Sequence, residues 1–214
     1  MLDLLNEYQI SAFIEKYSKA HAKDTKTGPS PLAALNLATA YMHMGDLDTA
    51  MRFFQRAEPI DPRQFPKRKQ KMVKHSLVTC AVYHNNITCA YIRCHDTKQA
   101  KRHMEAAWEY LTQLKEMAKI YPDLEQTIVV LLRDLSIRRL EMSLETGEEL
   151  DDEIELKQLQ TWFDSARQRS VKVYNRYLAN ILYEKCGKKE EAEKCRAFVK
   201  QYGGDSCYVK WVEE

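Results

Sequence analysis

Between Pro31 and Pro62 the sequence leaves little choice of fold. Ala34, Leu37, Ala38 and Tyr41 recur at helical spacing and share one face of a first helix, while Ala50, Phe54 and Ala57 share one face of a second. Gly45 and Asp46 separate them. Glycine tolerates the left-handed residue that ends a helix, and aspartate caps the start of the next. The two faces therefore predict a helix hairpin that packs through them. Over the whole chain only 6 Gly and 6 Pro punctuate 214 residues, and β-branched runs are scarce, so the expected class is all-α. A hydrophobic content of 44% is enough for a substantial core, as one domain or one short solenoid.

In register, residues 31 to 62 follow the pattern of Trp, Leu-Gly, Tyr, Ala, Phe and Pro that marks a tetratricopeptide repeat, with Ala34 in the Trp position and Ala38 in the Gly position. The chain resembles that family here. Weaker copies lie at about 81 to 108, through His84, Ile87, Thr88, Tyr91, Ala100, Met104 and Ala107, and at about 176 to 202, through Ala179, Asn180, Tyr183, Ala192 and Val199. Ile87 follows Leu37 by 50 residues, against a common period of about 34, so extended helices join the copies. An atypical hairpin is expected at about 122 to 169, opened by Pro122 and Asp123 and broken at Gly147. Residues 2 to 22 read as an amphipathic N-terminal capping helix, and Tyr208, Val209, Trp211 and Val212 as a tail able to fold back. The resemblance thus implies a single domain over residues 1 to 214, a right-handed array of antiparallel helix hairpins.

It also implies a non-catalytic function, the binding of a peptide or helix of another protein as an adaptor, scaffold or chaperone-like holder. In the family the first helix of each hairpin lines the concave face. Carried onto this chain, that face holds Leu32, Leu35, Thr39, Met42 and His43 in the first copy. Asn85, Cys89, Ile92 and Arg93 follow in the second, and Tyr174, Tyr177, Ile181 and Glu184 in the last. Aliphatic, aromatic and amide groups mixed in this way suit a segment laid in a groove; the alternative is that the chain's own helices or tail fill it. Some members grip a C-terminal carboxylate with Lys, Arg and Asn. Asn36 and Asn86 stand in matching places, but Leu35, Thr39 and Val82 occupy positions where that clamp needs Lys and Asn, so recognition of that kind is not expected.

Lys+Arg number 33 and Asp+Glu 31, a net charge of +2 that argues neither for nor against nucleic acid. Local blocks say more. Arg63, Lys67, Arg68, Lys69, Lys71, Lys74 and His75 form the densest run, and in the first turns of a helix they oppose its dipole. An acidic partner, nucleic-acid phosphates or a localisation signal would account for them, as would a solvated helix face. The second-ranked function is accordingly a basic-surface binder of nucleic acid or an anionic ligand, with Lys67, Arg68, Lys69, Lys71 and Lys74 as the patch. The acidic group Glu141, Glu145, Glu148, Glu149, Asp151, Asp152, Glu153 and Glu155 lacks the alternating spacing of a calcium loop and reads as a solvated turn.

Cys80 and His84 share a helix face, but a zinc site needs four convergent ligands, so His84 is expected as a buried, hydrogen-bonded side chain. Neither metal nor cofactor is expected, and no nucleophile motif or phosphate loop is present. Six cysteines without a Cys-x-x-Cys pair fit free thiols in a reducing compartment. With no apolar stretch long enough to span a bilayer and no signal-peptide pattern at the start, the expected location is cytoplasmic.

Overall fold

A computed structural model describes residues 9 to 22, 31 to 66 and 69 to 213. Every regular element among them is helical: α1 (Ile10–Ala22), α2 (Pro31–Met44), α3 (Leu47–Arg56), α4 (Gln70–Arg93), α5 (Thr97–Ala118), α6 (Glu125–Thr146), α7 (Asp152–Ser165), α8 (Arg169–Lys185), α9 (Lys189–Tyr202) and the short α10 (Cys207–Trp211). The all-α expectation holds. Residues 2 to 8 of the expected N-terminal helix lie outside the described residues.

Local chemistry sets the ends of these helices. At the close of α2 Gly45 has φ 86°, and the Asp46 N–H donates to the Tyr41 carbonyl at 3.0 Å, which satisfies a carbonyl the helix leaves unpaired. The Asp96 carboxylate accepts the Gln99 N–H at 3.0 Å and caps α5. Asp151 does the same for α7, accepting from Glu153 and Ile154 at 3.1 Å each, with Asp152, Glu153 and Glu155 in the first turn where the dipole favours them. Two boundaries depart from the sequence reading. The helix expected from about residue 65 begins at Gln70, because Asp61 caps a 3-10 turn at Pro62–Gln64 and Pro66 follows. The helix expected to reach about Arg169 ends at Ser165.

The chain gathers into two compact units, one of Pro29–Ala38 and Leu47–Glu148, the other of Met1–Gly28, Thr39–Asp46 and Glu149–Glu214. In the first, α4 and α5 pack as a long hairpin and α6 lies against both. Leu77 and Ala81 of α4, Ala107, Leu111 and Leu114 of α5, Leu124, and Ile128, Leu131 and Leu135 of α6 form one buried cluster. Phe54 of α3 is fully buried, its ring edge-on to Tyr83 with centroids 6.2 Å apart, and Ala50 and Ala57 are buried beside it in sequence. Tyr41, expected to bury with them, is half-buried.

In the other unit α8 packs against α7 and α9. Phe163 of α7 meets Phe198 of α9 edge-on at 5.1 Å, and the Arg176 guanidinium of α8 sits 3.8 Å over the Phe163 ring. The tail folds back: Tyr208 is fully buried, 5.0 Å from the Tyr177 ring, with Trp211 at 5.7 Å from the same ring. That return is tight at Gly203, where a Cβ would stand 2.5 Å from the Val199 carbonyl and from Val209 Cγ2. Just beyond it, Asp205 accepts the Ile10 and Ser11 N–H groups at 2.8 and 2.7 Å, capping α1 from the far end of the sequence. Burial alone would raise the Asp205 pKa, but these hydrogen bonds win and hold its carboxyl below the usual range.

Phe54→Ala should cost about 3 to 5 kcal/mol in denaturant unfolding, because a fully buried ring leaves a cavity; an unchanged midpoint would refute the packing. Asp205→Ala should cost about 1 kcal/mol, the usual worth of a helix cap. Since the folded pKa lies below the unfolded one, the wild-type advantage over Asp205→Ala should be full at neutral pH and vanish as the carboxyl is protonated in acid.

Candidate functional site

Of the side chains placed on the concave face by the sequence, Leu35, Met42, Asn85, Cys89, Ile92 and Tyr174 are buried. A partner cannot reach them as an open groove in this conformation. Within the α4 to α6 unit the reason is the packing of α6: the Cys89 thiol faces the Glu141 carboxylate at 3.7 Å, and Ile92 packs with Ala100 and Met142. In the other unit, Tyr208 donates to or accepts from His43 Nδ1 at 2.9 Å, and Tyr177 lies among the rings of Tyr174, Tyr208 and Trp211. Thr39, His43, Arg93, Tyr177 and Ile181 are half-buried.

Glu141 was expected in the solvated acidic patch and is instead buried, paired with Arg138 one turn before it. Glu155 is buried as well. Burial pushes both the Cys89 thiol and the Glu141 carboxyl up, against the pull of the Arg138 and Arg93 charges on the carboxyl. Arg93 thus acts on this cluster from the end of α4. Helix period alone placed Glu141 near the acidic turn; its burial needs α4 as a neighbour.

His84 of α4 and His103 of α5 face each other, Nδ1 to Nδ1, at 2.8 Å, so one imidazole donates its N–H to the lone pair of the other. Tyr110 stacks on His84 at 5.5 Å and Tyr91 on His103 at 5.3 Å. Burial, the facing His103 and Arg102 push His84 down to about 4, and burial with Arg102 lowers His103 while Glu58 opposes. The pair forms part of a polar cavity of about 560 Å³ with Gln55, Glu58, Arg102 and Glu109 on its walls. His84 is hydrogen-bonded as expected, though half-buried rather than buried. The sequence did not single out His103.

The open apolar surface lies elsewhere in the same unit. Leu32, Ile60 and Met72, respectively 54%, 58% and 44% exposed, line a cavity of about 430 Å³ with Phe65, Lys71 and His75. Phe65 is also a wall of a second cavity of about 760 Å³, with Val73, Met117, Tyr121 and Ile120, the last 69% exposed. Two apolar hollows therefore flank one ring. A trace of this was present in the sequence, since Ile60 and Phe65 sit in a proline-rich connection where polar residues are usual.

The basic run divides. Lys71 is exposed on the wall of the smaller hollow and Lys69 is exposed two residues before it at the start of α4, whereas Lys74 is held by Asp123 at 2.5 Å and lies 5.0 Å over the Tyr121 ring. Lys67 and Arg68 lie outside the described residues. Among the described residues no three His, Cys, Asp or Glu side chains gather as a metal-binding group, and no helix is long and apolar enough to cross a membrane.

The histidine pair gives a pH test. Folded His84 titrates near 4 against an ordinary 6.5, so the unfolded chain takes the proton first and stability present above pH 6.5 is lost as pH falls toward 4. In thermal unfolding across that window the His84→Gln/His103→Gln variant should show a smaller decline than wild type; equal slopes would refute the neutral pair.

The chain matches no protein-family model, no curated protein and no solved structure.

Proposed function

We propose that this protein is a non-catalytic protein-binding module of the helix-hairpin kind its residues 31 to 62 resemble, acting as an adaptor, scaffold or chaperone-like holder. Its contact surface is the pair of apolar hollows around Phe65. The observation that carries this reading is the exposure of Leu32, Ile60, Met72 and Ile120 along their rims. Large apolar side chains gathered at one surface lose favourable burial, about 25 cal/mol per Å² left in water, and such patches mark contact sites. Rigid helices supply the floor: Val73 and Leu77 of α4 and Met117 of α5 belong to both the hollow and the buried cluster. A surface fixed in this way loses little entropy when a partner segment binds.

The remaining half-buried residues of the sequence-derived face, Thr39, His43, Arg93, Tyr177 and Ile181, are secondary candidates. The His84 and His103 Nδ1 atoms already satisfy each other, which favours a role in holding α4 to α5 over a role in chemistry.

The full chain should be used as bait in its native cell extract alongside two variants. Ile60→Ser/Met72→Ser should lose the partner that wild type retains in stoichiometric amount, while Val129→Ser, an exposed change on α6, should keep it. Undiminished capture by Ile60→Ser/Met72→Ser would place the contact elsewhere.

A further inference from the structure

We infer, resting on the contact surface just proposed, that the segment it takes is acidic: bulky apolar anchors for the two hollows beside Phe65, flanked by Asp or Glu that meet Lys69 and Lys71.

The charge around the surface is unbalanced in one direction. After Asp61 the sequence has no carboxylate until Asp96, while Arg63, Lys67, Arg68, Lys69, Lys71 and Lys74 fall in that interval. Three carboxylates near the hollows are engaged, Asp61 by Arg63, Glu116 by Lys119 and Asp123 by Lys74, while Glu58 lines the polar cavity that holds His84 and His103. Lys69 and Lys71 have no carboxylate partner among the described residues, and Lys71 lines the smaller hollow itself. The smaller hollow thus carries an unpaired cation, Lys71, and no carboxylate on its own walls.

Stability of α4 does not account for these cations. They stand at the helix end where the dipole favours carboxylates, α4 has no acidic residue in its first turn, and Lys69 at the cap makes no side-chain hydrogen bond there. Solvation of a polar face does not account for Lys71 either, because the surface it shares is aliphatic: Leu32, Ile60 and Met72. A nucleic acid would satisfy the lysines but give those three side chains nothing to bury, since its backbone is polar and bases stack on rings. A peptide segment combining apolar anchors with carboxylates satisfies both halves, the anchors supplying affinity and the charges supplying register and selection against basic competitors.

The test is to pan a random-peptide display library on the full chain, with depletion on the Ile60→Ser/Met72→Ser variant so that only binders of this surface remain. Enriched peptides should carry paired bulky apolar residues with flanking Asp or Glu. A synthetic copy should bind about tenfold more weakly when its carboxylates become amides, and about tenfold more weakly to Lys69→Glu/Lys71→Glu. Its binding should fall steeply with Ile60→Ser/Met72→Ser and resist competition by a single-stranded oligonucleotide. Enriched peptides that are neutral or basic would overturn the acidic assignment and leave the contact surface standing. Binding lost in the lysine variant but unaffected by Ile60→Ser/Met72→Ser, or displaced by the oligonucleotide, would show simple anion attraction and overturn it too. If no peptide survives depletion, the acidic assignment falls together with the contact surface.

Discussion

The contact of α4 with α5 is the constraint on which the larger helical unit depends. Alanine at positions 81 and 107, both fully buried, stands among the leucines of the shared cluster, where a side chain of one carbon lets two backbones approach. Leu77, Leu111 and Leu114 then fill the space on either side, and α6 closes the cluster with Ile128, Leu131 and Leu135. Close packing of this kind makes the position of one helix fix those of the others, because a displaced backbone would open voids along the whole row. The larger hollow beside Phe65 inherits its shape from it, since Leu77 and Val73 face that hollow from the same helix.

Several polar groups within this packing meet one another. Arg138 and Glu141 are both buried and meet each other, the Cys89 thiol reaches the same carboxylate, and His84 satisfies His103. Each pair joins residues whose burial would be costly alone. Their effect is on register as much as on stability: a slide of α4 against α5 or α6 would separate Cys89 from Glu141 or His84 from His103 and leave a polar atom facing carbon.

Around Phe65 the arrangement is reversed, with apolar side chains facing water and cations beside them. The charges of Lys69 and Lys71 oppose the dipole of α4, and an exposed Ile60 or Met72 adds no burial to the core. Departures from locally favourable chemistry concentrated at one surface are the ground for the contact site proposed above, because selection for a partner would act against local stability. The tail in the other unit shows the opposite case. Tyr208, Tyr177 and Trp211 are also large and aromatic, yet they bury one another once Gly203 allows the chain to turn back.

By itself the sequence determined the helices and most of their ends. Gly45, Asp96, Gly147 and Asp151 act on neighbours within a turn, so their effects can be read without knowing what lies across the chain. It also determined which residues share a face, as with Ala50, Phe54 and Ala57. Only the tertiary structure decided what covers each face. Asn85, Cys89 and Ile92 share the side of α4 that was expected to line a groove, and burial of Cys89 and Ile92 comes with α6, whose Glu141 is 52 residues beyond Cys89. Period places a residue on a face; it carries no information about a helix that arrives from so far along the chain. For the same reason Glu141 read as solvated, whereas it is buried against an arginine and the Cys89 thiol.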